Sequence, residues 1–336
     1  MIRIIAGRLA TLPLMLLGVV LLLFVLGHLI PADPARVAVG PNASAEAVEA
    51  MRERMGLDDP LPVQLGRYLR QLVRLDLGDS VYDKQPVTDS LRRYAPATIE
   101  LALAAATVMI LLGVSLGVYT ATAKSRVAEQ LIRLGAIAGR ALPAFWLAML
   151  LQFIFYSRFS WIPSGGRLNL DEVDPPTHIT GLYLIDSALT LNGRVFVDAA
   201  HHLVLPALAL AIGGTADVMR MTRAQILSEL RNDYTRSARA KGLKDRTVLL
   251  RHVLPNAMSA VLTLIGIRVG YLLAGAVLVE SIFNWPGLGR YSLDAIKNFD
   301  FQALTGVTLL VTTIFLVINL VVDLIGLALD PRARGR

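Results

Sequence analysis

Few side chains in this 336-residue sequence have the types and spacing that catalysis requires. None of the five histidines belongs to an H-E-x-x-H zinc motif, and the adjacent His201 and His202 would diverge on a helix rather than chelate one metal. The sequence contains no cysteine, no G-x-S-x-G elbow and no G-x-x-x-x-G-K-S/T loop for ATP phosphates. It therefore predicts no catalytic, metal-binding or cofactor-binding residue on this chain.

A basic segment between two apolar stretches, Asn232–Pro255, has the features of a docking element. Asp233 is predicted to cap a short helix, and Gly242 has the setting of a left-handed helix end. Asp245 then starts a second helix, which Pro255 interrupts. Two short helices joined at a glycine would form a rigid lever at a membrane surface. A solvated loop that only fixes topology is the alternative that the residues alone leave open.

One charged side chain, Arg268, falls near the middle of an apolar stretch. An ionisable group inside a membrane is costly and normally faces protein or water. Asp217 and Asp323 are the candidate partners, each nearer the end of its own apolar stretch. We hypothesise that Arg268, with Asp217, lines a translocation path through the membrane or locks its closed state. A structural ion pair explains the same residues equally well.

The elements that must position these groups are membrane spans. The composition is 54% hydrophobic, and the mean hydropathy of +0.56 is far from that of a soluble domain. A helix needs about 20 apolar residues to cross a bilayer, and six stretches approach that length. Six spans place both termini on one side of the membrane. The predicted spans are Leu9–Ile30, Ala97–Ala121, Leu131–Tyr156, Leu203–Thr222, Asn256–Glu280 and Leu304–Leu329.

Lysine and arginine set the orientation of these spans. They are densest between Arg220 and Arg251, where nine occur, whereas the loops on the other face are longer and mix basic with acidic residues. Both termini are therefore predicted to be cytoplasmic. The net charge of +7 follows from this topology and from anionic lipid of the inner leaflet, without a nucleic-acid partner. The first apolar run is too long for a typical secretory signal, so the first span is predicted to be retained.

The predicted organisation has four parts. Residues 1–30 form a cytoplasmic tail and the first span, and 31–95 form an extracytoplasmic excursion with short helices at Ser44–Met55 and Leu65–Leu75. Residues 96–329 form a five-helix core that contains the cytoplasmic loop 223–255, and 330–336 form a cytoplasmic tail. Three glycine pairs within the spans are spaced for close helix contact: Gly113 with Gly117, Gly135 with Gly139, and Gly266 with Gly270.

Within the basic segment, Gly242 lies thirteen residues before Pro255 and four after Ala238. This spacing resembles the cytoplasmic EAA loop of ABC-importer permeases, in the branch that serves dipeptides and oligopeptides. The sequence departs from the generic motif at three positions: Arg236 takes its acidic position, Ser237 its first alanine and His252 a usual isoleucine.

Other strings resemble the same family and extend the likeness from the first span to the last residues. They are GLDDPLPVQ at 56–64, LDLGDS at 75–80, QPV at 85–87, PATIELAL at 96–103, VESIFNWPGLGRYSLDAI at 279–296 and DPR at 330–332. Taken together these strings are highly specific.

The resemblance implies an all-α integral membrane protein with six transmembrane helices in the MetI-like ABC-importer permease fold. It implies a transport subunit, not an enzyme, that forms half of a translocation path for dipeptides or oligopeptides in a bacterial inner membrane. The implied partners are a second, homologous permease, two cytoplasmic ATPases that hold ATP and Mg, an extracytoplasmic substrate-binding protein, and membrane lipid. The residues that would couple to an ATPase are Tyr234, Arg236, Ser237, Ala238, Arg239, Ala240, Lys241, Gly242 and Leu243.

Three other readings of the sequence are considered. A secondary transporter or channel would need no ATPase, but it would place ionisable groups along several spans, and here only Arg268 lies deep. An intramembrane enzyme is disfavoured because no nucleophile-base or metal set is visible. Within the family, nickel chelates, glutathione and opine- or sugar-like solutes are alternatives to peptides, since specificity is largely delegated to the binding protein.

Overall fold

Long apolar helices dominate the computed structural model, which describes residues 2–29, 33–40, 42–81 and 83–329. Five helical stretches are long and apolar enough to cross a membrane, and a sixth results if one sharply bent pair of helices counts as one span. Across the described ranges the extended pairing is limited to an isolated bridge between Asp79 and Pro86. The all-helical fold class is therefore confirmed.

The described residues form fourteen α-helices. The first seven are α1 (Ile2–Leu29), α2 (Pro34–Val39), α3 (Ala45–Met55), α4 (Leu61–Val73), α5 (Val87–Thr122), α6 (Arg126–Ala141) and α7 (Ala144–Gln152). The others are α8 (Tyr183–Leu189), α9 (Gly193–Glu229), α10 (Asp233–Ala240), α11 (Asp245–Val248), α12 (Leu254–Ile282), α13 (Leu288–Lys297) and α14 (Phe301–Leu329). Two π-helical segments, Phe153–Arg158 and Leu249–Val253, extend α7 and join α11 to α12.

The predicted third span, Leu131–Tyr156, is not one straight helix. Helices α6 and α7 meet at a bend of 105°. The cause is Pro143, because the residue before a proline is pushed out of the helical region, and Leu142 is extended with φ −86° and ψ 130°. The other five predicted spans fall within α1, α5, α9, α12 and α14, apart from Ile30, which lies outside the described residues.

Residues 97–286 and 315–329 belong to one compact unit whose helices approach closely at small residues. Within it, α9 contacts α6, α7, α8 and α12. A Cβ at Gly117 would lie 2.5 Å from the Cβ of Thr222 on α9, so only glycine permits this approach. Contacts of this kind also occur at Gly113, Gly139, Gly266 and Gly270, as predicted, but Gly135 has no neighbour within 4 Å.

Residues 2–96 and 287–314 belong to a second unit that includes the described part of the predicted outer excursion. The Oγ of Ser44 caps α3 by accepting a hydrogen bond from Ala47 N at 3.2 Å, and Gly56 ends α3 in the left-handed conformation. Helix α4 begins at Leu61, four residues before the predicted start, because Pro62 fits the first turn of a helix, where no N–H bond is needed. The predicted tail 330–336 lies outside the described residues.

Candidate functional site

The basic segment contains the predicted short helix, but its start differs from the prediction. Helix α10 begins at Asp233, and Asn232 holds the extended cap position without a side-chain cap bond. Asp233 is therefore the first helical residue and not the cap. At that position its negative charge still interacts favourably with the positive helix N-terminus. The Oγ1 of Thr235, on the buried side of α10, instead donates to the backbone oxygen of Glu229 at 2.9 Å.

The predicted left-handed end of α10 is confirmed. Gly242 has φ +78°, a conformation that costs any residue with a Cβ. Its N–H donates to Arg239 O at 2.9 Å, and the N–H of Leu243 donates to Ala238 O at 3.3 Å. These two bonds form the Schellman motif and satisfy carbonyls that the helix end would otherwise leave free.

A carboxylate that the sequence analysis did not single out, Glu229, fastens α10 to the end of α9. Its Oε2 accepts a hydrogen bond from the hydroxyl of Tyr234 at 2.6 Å and from Nδ2 of Asn232 at 2.8 Å. Burial, reinforced by this hydrogen bond to Glu229, raises the pKa of Tyr234. The spacing of Glu229 and Tyr234 crosses a turn and matches no local motif, so this contact could not be predicted from the residue pattern.

The predicted coupling residues divide into one that faces the protein and eight that are exposed. Ala238 is buried among Ile226, Val248, Val253 and Ala257. Exposed residues are Tyr234, Arg236, Ser237, Arg239, Ala240, Lys241, Gly242 and Leu243. The outer face of α10 is thus basic and open, while its inner face is anchored.

The second predicted helix does not stop at Pro255. Helix α11 starts at Asp245 as predicted, passes into the π-helical segment Leu249–Val253 and continues as α12. Pro255 occupies the first turn of α12, and the wider π-helical turn before it accommodates a residue that lacks an N–H. The segment after Gly242 is therefore helical from Asp245 into the membrane-spanning α12.

Asp217 and Arg268 form the predicted ion pair. Nη2 of Arg268 on α12 lies 2.6 Å from Oδ2 of Asp217 on α9. Asp217 is 5% exposed, and the Arg268 side chain is 30% exposed. The side chain of the other predicted partner, Asp323, lies outside the described part of the chain. The role of the pair in a path or gate stays a prediction.

Two further arginines, which sequence reasoning missed, contact the same carboxylate. Arg140 at the end of α6 bonds Oδ2 of Asp217, and Arg220 on α9 bonds Oδ1. Both arginine side chains are about half exposed. One carboxylate therefore holds three guanidinium groups, and we call Asp217, Arg140, Arg220 and Arg268 the aspartate cluster.

A second ion pair in the same unit is fully enclosed. Nη2 of Arg167 lies 2.5 Å from Oε2 of Glu100 on α5, and the two side chains are 8% and 6% exposed. The same nitrogen donates to Gly181 O at 2.9 Å, and the guanidinium lies 3.5 Å from the centre of the Tyr183 ring. Oε1 of Glu100 accepts from Leu184 N at 2.8 Å. This enclosed pair holds the segment 167–184 on α5.

No group of three or more histidines, aspartates and glutamates is arranged for a metal ion in the described ranges. The chemistry of the candidate site is therefore that of ion pairs and of an exposed basic helix.

The sequence and these helices define an integral membrane transport component. Residues 113–335 match the family described as "Binding-protein-dependent transport system inner membrane component", and residues 1–102 match its N-terminal region. The chain belongs to this family of permeases.

Relatives with assigned names cover nearly the whole chain. A probable D,D-dipeptide transport system permease protein, DdpB of Escherichia coli K12, is 44% identical over 95% of this chain and 94% of its own. A dipeptide transport system permease protein of Alkalihalophilus pseudofirmus is 39% identical over 97% and 98%. A glutathione transport system permease protein, GsiC of Salmonella paratyphi A, is 34% identical over 95% and 94%.

Among solved structures, an inward-facing form of the MetNI methionine ABC transporter is similar in fold. The match has a TM-score of 0.54 at 14% identity and covers 72% of this chain and 97% of that one. The MetI-like permease fold is therefore confirmed.

Proposed function

We propose that this permease imports dipeptides as the transmembrane subunit of an ATP-driven importer in a bacterial inner membrane. The proposal of dipeptides as the substrate rests on relatives named for dipeptides, which are 39% to 44% identical and match nearly the whole chain. Glutathione is the second candidate, supported by a relative at 34% identity. Both termini would be cytoplasmic, as the distribution of lysine and arginine favours.

The assembly would contain a second permease, two ATPases carrying ATP and Mg, and an extracytoplasmic binding protein. This chain would form half of the translocation path and would carry no ATP site of its own. The open basic face of α10 would dock on an ATPase, where Arg236, Arg239 and Lys241 can pair with carboxylates.

Movement of the ATPases would reach the membrane through α10 and α9. The contacts of Glu229 with Tyr234 and Asn232, and the burial of Ala238, support transmission as a rigid body. Twelve residues before Glu229, α9 carries Asp217, about 18 Å away along a helix that rises 1.5 Å per residue. Rocking of α9 would thus open or close the contacts of Asp217 with Arg140 and Arg268, which is the proposed gate.

Substitution at Gly242 tests the coupling role. Gly242→Asp adds a side chain at φ +78° and a negative charge on the proposed docking face. We expect normal insertion but at least a tenfold loss of ATP-driven dipeptide uptake in proteoliposomes that contain the complete importer, because the ATPase detaches or uncouples. Membrane content of the chain, retained ATPase subunits and uptake would be measured on the same sample.

Gly242→Asn is the matched control. Asparagine tolerates the left-handed conformation better than most residues and adds no charge, so uptake should stay within about twofold of wild type. Wild-type uptake by Gly242→Asp would refute the coupling role. Loss of uptake in both variants with ATPases still bound and active would assign the effect to local backbone geometry instead of charge.

A further inference from the structure

The aspartate cluster contains more cations than its one carboxylate can neutralise. Arg140, Arg220 and Arg268 all bond Asp217, which leaves two positive charges in excess among these four side chains. The other described ion pairs nearby are separate: Arg223, for example, bonds Glu129 at 2.5 Å. Charge excess in or beside a membrane span is costly unless water or an anion reaches it.

The cluster also contains a hydrogen-bond donor that has no acceptor among the described atoms. Nε of Arg268 is shielded from solvent and has no hydrogen-bond partner among the described atoms. All three arginine side chains are partly exposed, so another molecule can contact them. A guanidinium is suited to a carboxylate because its planar donors match two carboxylate oxygens.

The surface next to Arg268 differs from a lipid-facing surface. Tyr271, one turn further along α12, is exposed and its ring centre lies 5.9 Å from the Arg268 guanidinium carbon. By contrast, α1 exposes Leu14, Leu21 and Leu22, and its residues 11–29 include no Lys, Arg, Asp or Glu. A charged and aromatic face in the membrane is typical of a surface lining water or solute.

We propose that the aspartate cluster is a transient binding station for the carboxylate of the transported solute. On this proposal, which rests on the dipeptide-import function above, the C-terminal carboxylate of a peptide displaces Asp217 from one or more arginines. Asp217 remains available to the peptide's α-ammonium group. The arginines are thus residues that favour solutes with a free carboxylate, in addition to any role in closing the path.

The chain lacks cysteine, which allows a direct test of the local charge. Tyr271→Cys places one thiol beside Arg268, and Leu278→Cys places a matched control thiol seven residues further along the exposed side of α12. Each variant is assembled with its complete importer in nanodiscs of zwitterionic lipid. Labelling rates of this chain with anionic sulfonatoethyl and cationic trimethylammonioethyl methanethiosulfonate are then measured by mass spectrometry.

We expect the ratio of anionic to cationic labelling at position 271 to exceed that at 278 by about tenfold, because one uncompensated charge about 6 Å away in water speeds the anionic reagent and slows the cationic one by about threefold each. Adding Arg268→Gln should lower the anionic-to-cationic labelling ratio at 271 and leave the ratio at 278 unchanged. If that double variant does not assemble, Arg140→Gln takes the place of Arg268→Gln. A dipeptide with a free carboxylate should slow labelling at 271 more than its C-terminal amide does.

Equal ratios at the two positions, or equal protection by the acid and the amide, would overturn the proposal. If labelling at 271 is slowed only in nanodiscs of anionic lipid, the carboxylate station is overturned in favour of a site for a lipid headgroup. These labelling results do not require turnover. A wild-type importer that failed to take up dipeptides, yet kept the anion preference and the protection, would contradict the import function without contradicting the carboxylate station.

Discussion

Two of the ion-pair regions in the helical core differ in how their charges are paired and exposed. Arg167 and Glu100 form a one-to-one pair, both side chains are more than nine-tenths buried, and backbone groups and the Tyr183 ring make further contacts with them. Asp217 instead shares one buried carboxylate among three arginines that remain partly exposed. The enclosed pair is neutral, whereas the aspartate cluster carries an excess of positive charge.

This difference distinguishes charges that stabilise the fold from charges that are suited to a function. A neutral pair that is more than nine-tenths buried is closed to a ligand, and removal of one partner leaves the other charge buried without a partner. A shared carboxylate can lose one arginine and remain paired. The enclosed pair is therefore suited to hold a segment in place, and the cluster is suited to exchange partners during transport.

The largest effect is expected from breaking the enclosed pair. Arg167→Leu leaves the Glu100 carboxylate, 6% exposed, without its cation. Stranding a buried charge costs about 3 to 5 kcal/mol, so the melting temperature of the purified chain in mild detergent should fall by several degrees and less protein should reach the membrane. Thermal unfolding followed by intrinsic fluorescence measures the change.

A double variant separates charge from shape at the same site. Arg167→Leu combined with Glu100→Leu removes both charges, and it should recover part of the loss, since apolar replacement of a whole buried pair is often close to neutral. A single variant as stable as wild type, or a double variant worse than the single one, would show that the pair does not hold segment 167–184.

Sequence reasoning found one of these regions and missed the other for a physical reason. Arg268 stands out because a charge within an apolar run is rare and costly, and the same logic gave Asp217 and Asp323 as its candidate partners. Glu100 lies near the start of a predicted span and Arg167 lies between two predicted spans, and charges are ordinary at both places. Arg220 was missed because it belongs to the dense run of basic residues from which the orientation was predicted, and Arg140 lies within the predicted third span but was not singled out.

The fold was predictable where long apolar periodicity decides it and less so where single residues do. The helices at α5, α9, α12 and α14 follow from apolar length alone. The break before Pro143 depends on a single residue, which the prediction of a third span from apolar length did not take into account. The fastening of α10 through Glu229 depends on a tertiary contact across a turn, which no local pattern reports.

A smaller, pH-dependent effect is expected beside the enclosed pair, at Asp186 on α8. Burial alone would raise the pKa of this carboxyl, but hydrogen bonds from the Thr180 hydroxyl and from the N–H groups of Thr180, Ile179 and Gly181 outweigh burial and lower the pKa below its ordinary 3.8. A lowered folded pKa stabilises the protein above the unfolded value, and that stability is lost as the pH falls through the folded value.

The pH dependence of unfolding measures this contribution. The melting temperature of wild type should fall below pH 3.8, while Asp186→Asn should start lower at neutral pH and lose less on acidification. Identical pH profiles for the two proteins would show that the Asp186 carboxylate does not stabilise the folded protein. A Thr180→Val variant, which removes only the hydroxyl donor, should give an intermediate profile.

The smallest effect on stability is expected in the aspartate cluster, and it distinguishes the two regions most sharply. Arg268→Gln leaves Asp217 bonded to Arg140 and Arg220, so the loss should stay below about 1 kcal/mol, as for a partly exposed pair. Uptake by the complete importer should nevertheless fall, because the missing guanidinium acts on the path. A variant that transports at the wild-type rate and assembles normally would leave Arg268 a structural residue. If Arg268→Gln were as unstable as Arg167→Leu, the shared and the enclosed ion pairs would contribute equally to the free energy of unfolding.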